Sequence, residues 1–232
     1  MKKLLIALAI LTVGAGVYWQ TRPSLFESGT PLTANNGAID LLAELNTDAL
    51  SDGWFHRTFF TANAANYQMT LESGAPALRC TTDNSASILA RNTEIPLSEL
   101  NILSWRWKVD QPIESNVDED TKDGDDHPLR FFVRFSNEDG DIRAAEIIWS
   151  NKKYAPGEYK IIDGFYHYVA NGLHENTKVW HDHSLDLRQL YTDIGGKGEA
   201  TLQTLGFFCD SDNTGAKSDG VFADIHLSAA PA

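Results

Sequence analysis

Basic residues are scarce in this chain: 19 Lys and Arg stand against 32 Asp and Glu, giving a formal net charge of −13 and a pI near 4.8. That balance excludes the basic footprint that nucleic acids and anionic membrane surfaces require. Cationic ligands, divalent metals and neutral polymers stay admissible, and acidity on its own asks for nothing beyond solubility. Cysteine is nearly absent. Cys80 and Cys209 lie too far apart in sequence to suggest a cysteine-rich metal site. Two readings remain for them. A disulfide would close a loop of about 130 residues and stabilise by about 3–5 kcal/mol, whereas two separate buried thiols would simply pack. Internal repeats and a nucleotide-binding glycine loop are missing too. Long apolar runs reduce to one, the uncharged stretch Leu4 to Tyr18 behind Met1-Lys2-Lys3. It falls short of the ~20 residues of a spanning helix and has the basic and apolar regions of an export signal. No cysteine follows it closely, which argues against lipoprotein processing. Val13-Gly14-Ala15-Gly16 lacks an Ala-x-Ala site, so cleavage and retention as an anchor both stand. The protein is expected to be exported, either periplasmic or anchored to the periplasmic face of the inner membrane.

What is present points to an all-β fold. Forty-two per cent hydrophobic and 10% aromatic content supports a sizeable core in one domain. Residues 1–20 form the signal or anchor, residues 21–50 a linker with a short helix over Ala38–Leu45, and residues 51–228 the domain. Short strands are expected at Trp54–Thr61, Tyr67–Leu71, Ala77–Thr81, Ser87–Arg91 and Ile102–Val109, with turn residues between them. Leu129, Phe131, Val133 and Phe135 alternate with Arg130, Phe132 and Arg134, placing an apolar and an arginine-bearing face on one strand. Asp-Gly pairs at 139–140 and 163–164 mark hairpins. A second short helix is expected at Leu185–Asp193, capped by Ser184 and stopped by Gly195-Gly196. The pattern predicts a two-sheet antiparallel β-sandwich of the jelly-roll kind.

Two acidic, glycine-containing loops carry the candidate chemistry. The first runs from Gln111 to Asp126 and empties into the Arg130 strand; the second, Asp210-Ser211-Asp212-Asn213-Thr214-Gly215, leaves the Leu205–Cys209 strand. Carboxylates, an arginine fork and an amide suit directional hydrogen bonds to hydroxyls. The candidate ligand residues are therefore Asp125, Asp126, Arg130, Asp210, Asp212 and Asn213, with Trp149 for stacking on a sugar ring. An oxygen cage for calcium is the competing use of these loops, with Asp120, Asp123 and Asp224 as candidate ligands. The spacing does not follow the EF-hand pattern. Trp105 and Trp107 share a strand face and read as core, while Arg106 and Lys108 on the reverse face are placed to meet Asp125 or Asp126. His181 and His183 share a face but lack a local third ligand for zinc.

Trp105-Arg106-Trp107, Gly124-Asp125-Asp126 with Arg130 and Phe135, Trp149-Ser150, and Asp210-Ser211-Asp212-Asn213-Thr214 with Asp224-Ile225 together resemble the bacterial domain-of-unknown-function family 3047, over most of residues 50–228. The resemblance implies an exported protein with a domain similar to jelly-roll carbohydrate-binding or galactose-binding modules, and it brings no catalytic residues. Three functional readings follow. The first is a non-catalytic envelope module binding a glycan or other polyhydroxylated ligand, with calcium bracing a loop. The second is a structural envelope protein in which Asp125 and Asp126 pair with Arg106, Arg130 and Arg134. The third is a glycan hydrolase using two carboxylates about 5–10 Å apart.

Overall fold

The computed structural model describes residues 29–34 and 37–231; the expected export segment lies outside them. No helix among the described residues is long and apolar enough to cross a membrane. Among the described residues, fourteen strands form two packed sheets. The larger contains β1 (Leu32–Thr33), β3 (Trp54–Thr58), β6 (Ala86–Pro96), β8 (Arg130–Asn137), β9 (Ile142–Ser150), β10 (Tyr159–Ile162), β11 (Phe165–Gly172) and β13 (Ala200–Asp210). Its order is β1-β6-β13-β8-β9-β11-β10, with β3 also along β6. The smaller sheet runs β12 (His181–Asp186), β7 (Ile102–Gln111), β14 (Lys217–Ser228), β5 (Ala75–Asp83) and β4 (Asn66–Glu72), with β2 (Ile39–Asp40) against the end of β14. Antiparallel pairing dominates; β1–β6 and β9–β11 are parallel. The expected jelly-roll sandwich is what the chain adopts.

Alternation explains the core. Leu103, Trp105, Trp107 and Val109 on β7 face Phe131, Val133 and Phe135 on β8, and all are essentially buried. Trp105 meets Phe131 edge-on at 5.2 Å, and Phe222 meets Phe131 at 5.1 Å and Phe207 at 5.2 Å. Cys80 on β5 and Cys209 on β13 are joined across the two sheets, with Cα atoms 6.6 Å apart. The hairpin turn at Asp163-Gly164 has both residues at positive φ, +50° and +81°, as a two-residue turn of this twist requires.

Three local expectations need correction. The helix over Ala38–Leu45 does not form. Asp40 pairs with His226, its carboxylate accepts from the Leu42 amide at 2.9 Å, and the Leu41 amide is taken by Ile225 O. Leu41, Leu42 and Leu45 are nevertheless buried, so their spacing reports core contact rather than helix. Strand β1 falls inside the stretch expected as linker, and β2 inside the expected helix. Ser184 belongs to β12, opposite Ser104, and the one α-helix among the described residues, α1 (Leu187–Asp193), is capped by Asp186, which accepts from the Arg188 and Gln189 amides.

Candidate functional site

The β7–β8 and β13–β14 connections meet at one end of the sandwich and interlock there. Gly124 lies so close to the chain that a Cβ on it would sit 2.1 Å from Asp118 O. The buried Glu119 carboxylate accepts from Ser150 Oγ at 2.8 Å and from the amides of Asn151, Lys152 and Lys153 at 2.9, 3.0 and 3.2 Å. Asp126, fully buried, takes the Asn213 amide at 3.2 Å and the Thr214 amide and hydroxyl at 2.7 and 2.6 Å. Asp210 accepts from the His127 amide at 2.9 Å and from Arg130 Nε at 3.1 Å, with Arg130 Nη2 on its other oxygen. Each loop is thus fastened through carboxylates to the other or to the sheet.

Behind the rim lies a buried charge network. Pairing register aligns Phe132, Glu146, His167 and Lys160 in one row across β8, β9, β11 and β10. Arg130, 2% exposed, reaches Glu146 and Asp210 as well as the Asp125 carbonyl. Lys160 is fully buried and donates to Asp125 Oδ1 at 2.6 Å and to His127 Nε2 at 2.9 Å. His127 Nδ1 lies 2.9 Å from Trp149 O, so it must donate there and leave Nε2 free to accept from Lys160. His167 Nε2 sits 3.5 Å from both Asp125 Oδ1 and Glu146 Oε2. Asp125 is the member that reaches solvent, with a fifth of its side chain exposed.

The ionisation pattern follows from this packing. Burial, helped by the Lys160 charge, pushes His127 down to about 3. Burial also lowers Lys160, and Asp125 resists that shift. For Asp125, burial raises the carboxyl, but the neighbouring His167 ring and the charge of Arg130 outweigh it and hold it well below the usual range. Burial pushes Asp210 up to about 8, Arg130 pulling against and Asp126 adding to the rise. The same two causes, burial and Asp126, raise Asp212.

These facts place the residues singled out from sequence. Asp125, Asp126, Arg130, Asp210, Asp212 and Asn213 do converge at one end of the sandwich, but chiefly upon one another. Trp149 is fully buried and packs edge-on against Trp107 at 6.0 Å; it has no face to offer a ligand. Arg106 and Lys108 lie on the outer side of the other sheet and pair with Asp182, Asp224 and Asp110 instead of Asp125 or Asp126. Asp120, Asp123 and Asp224 are not brought together: Asp120 is held by Lys153 and Tyr154, Asp224 by Arg106. Among the described residues, the carboxylates that do cluster are Asp126, Asp210 and Asp212, whose nearest oxygens lie within 4.8 Å of one another.

A cleft of about 290 Å³ opens beside the rim, lined by Ser115, Asn116, Asp118, Lys152, Lys153 and Thr214 among others. Residues 52–226 match the family described as "Protein of unknown function (DUF3047)". The chain belongs to this family. No curated protein matches the chain. Among solved structures, the sandwich is similar to the family 30 carbohydrate-binding module of a cellulosomal cellulase of Clostridium thermocellum, at 14% identity over 89% of this chain and 97% of that one, with a TM-score of 0.40. A family 29 carbohydrate-binding module solved with cellulohexaose shares 12% identity over 84% and 93%, TM-score 0.37. The family 11 xylanase from Neocallimastix patriciarum shares 11% over 75% and 100%, TM-score 0.36. Likeness at this level does not name a ligand.

Glu119, His127, Glu146, Lys160 and His167 escaped the sequence reading. Glu146 alone carried a signal, as a single carboxylate in the apolar run Ala144 to Ile148. The others become visible only once register sets β9, β11 and β10 side by side.

Proposed function

We propose that this member of the family is an exported, non-catalytic binding module of the cell envelope whose ligand is a glycan or other polyhydroxylated compound. The observation that carries the proposal is the rim cleft: hydroxyl, amide, carboxylate and ammonium groups line it, over a floor held rigid by the four bonds to Glu119. Fixed polar groups bind hydroxyls without a large ordering cost. Against hydrolysis, Asp126 and Asp210 each already accept three hydrogen bonds, so neither stands free as an acid or base. Export is supported by the N-terminal sequence and by the Cys80–Cys209 bond, which persists in oxidising compartments. Calcium bracing belongs to the same proposal, now at Asp126, Asp210 and Asp212. This all-oxygen set fits a hard cation, and a divalent charge would offset the carboxylate surplus beside Arg130.

Thermal unfolding of the full chain tests all of this. A glycan present at 100 times its Kd stabilises by about 2.7 kcal/mol, so one member of an envelope glycan panel should raise Tm. Calcium should raise Tm and EDTA reverse it; an unchanged melt removes calcium from the proposal. No response to any glycan at millimolar concentration removes the binding reading. A structural envelope role would then take its place, favoured by the interlocked rim. Release of new reducing ends from a glycan would show catalysis and sink the non-catalytic assignment.

A further inference from the structure

The outer face of the smaller sheet holds a surface that the rim does not use. Along β14 the outward residues are Asp219, Val221 and Ala223, opposite Thr81, Arg79 and Ala77 on β5. Lys108 and Arg106 on β7 lie opposite Val221 and Ala223. Trp180, partly exposed, packs on the small side chains Ala77, Val221 and Ala223. The Arg106 guanidinium lies 4.8 Å and Lys108 Nζ 5.3 Å from its ring centroid. A register shift in β14 between Ala223 and His226 leaves Asp224 at φ +50° and 3.0 Å from Arg106 Nη1. Such shifts re-aim side chains.

We propose that this face binds an extended, uncharged polysaccharide chain laid over the Trp180 indole; the inference rests on the binding-module reading and locates a second surface for it. Three observations choose this occupant. An indole set among planar charged groups offers an apolar platform for the C–H face of a sugar ring and strong donors and acceptors for its hydroxyls. The charges nearly cancel, with three cations (Arg79, Arg106, Lys108) paired to four carboxylates (Asp110, Asp182, Asp219, Asp224). On a chain of net charge −13, this near-neutral face favours neither a polyanion nor a polycation. Length is the third. From Ala223 to Asp219 the face runs about 13 Å along β14, longer than one sugar ring. It then meets a cleft of about 370 Å³ lined by Asn66, Thr81, Gln111, Lys217 and Asp219.

The test is calorimetric titration of the full chain with neutral hexasaccharides (cellohexaose, xylohexaose, mannohexaose), with glucose and with trigalacturonate. At least one hexasaccharide should bind, and glucose and trigalacturonate should bind at least tenfold more weakly. Trp180→Leu keeps an apolar cover over Ala77, Val221 and Ala223, so it should melt like the wild type yet lose at least tenfold in affinity. Trp180→Phe should keep most of the affinity. Equal hexasaccharide affinity in the wild type and Trp180→Leu overturns this site while leaving the binding-module reading intact. Absence of any hexasaccharide binding to the wild type overturns the site, and a silent glycan panel at the rim then overturns the reading beneath it. A concentration-dependent dimer that Trp180→Leu dissolves would show that another copy of the chain covers this face, and would also overturn it.

Discussion

Arg130→Met puts the buried network to a quantitative test. Arg130 is 2% exposed and compensates two carboxylates, Glu146 and Asp210, which are themselves almost buried. Methionine fills similar space and keeps contact with the Phe208 ring, now 4.5 Å from the guanidinium carbon, so the change is electrostatic more than volumetric. Removing one partner of a buried pair costs about 3–5 kcal/mol, because the other charge stays behind without compensation. For a chain of this size each kcal/mol moves Tm by about 2–4 °C, so the variant should melt roughly 6–20 °C lower at pH 8. The pH dependence has a definite sign. Asp210 already sits up at about 8 because of burial and Asp126, with Arg130 pulling it down; without Arg130 it must rise further. A carboxyl whose folded pKa exceeds its unfolded value costs least in acid and more as pH rises through the folded value. The deficit of Arg130→Met relative to wild type should therefore be smaller at pH 6 than at pH 9, because the two folded states differ in protonation only as pH passes about 8 and above. Adding Asp210→Asn should restore part of the loss, so that the double variant loses less than the two single losses together. Urea unfolding at these three pH values measures all of these. A loss below 1 kcal/mol at pH 8, or a deficit that grows in acid, would refute the reasoning.

Two further outcomes follow from the geometry. Nitrogen-detected NMR of the histidine rings should show His127 as the neutral Nδ1–H form down to pH 4, since burial and Lys160 push it down to about 3; its contribution to stability is complete above about pH 6.5 and is lost as pH falls towards 3, and an imidazolium spectrum appearing near pH 6.5 would contradict the network. Replacing Cys80 and Cys209 by Ser opens a crosslink spanning 129 residues and should cost about 3–5 kcal/mol in the loop-entropy account; a denaturation midpoint unmoved by the change would show that the bond contributes nothing.

The sandwich was legible because alternation is local. Leu129, Phe131, Val133 and Phe135 announce a one-sided strand without reference to any other, and Trp105 and Trp107 do the same. Ala38–Leu45 misled because Leu41, Leu42 and Leu45 fit a helical stripe, while the bond from the Leu41 amide to Ile225 O depends on a strand nearly 190 residues away. The acidic loops were found as loops, but their partners were not. That Asp126 spends its carboxylate on the Asn213–Thr214 turn, or that Trp149 faces the core, is decided by long-range register and not by neighbouring residues. Trp180 sits in a stretch, Lys178 to His183, that reads as a strand, but the side chains it covers are fixed only by long-range register.

The row Phe132–Glu146–His167–Lys160 has one more consequence, for how the fold chooses among its own near-copies. On β10, Ile161 is 51% exposed while its neighbour Lys160 is fully buried. Hydropathy alone would prefer the strand shifted by one residue, with the isoleucine inside and the lysine in water, because a single step exchanges the two faces of a strand. Only the true alignment sets Lys160 Nζ against both Asp125 and His127. The buried charges thus act as a key against slippage: they tell this edge of the sheet which of two alignments is correct, where greasy side chains would have voted for the wrong one.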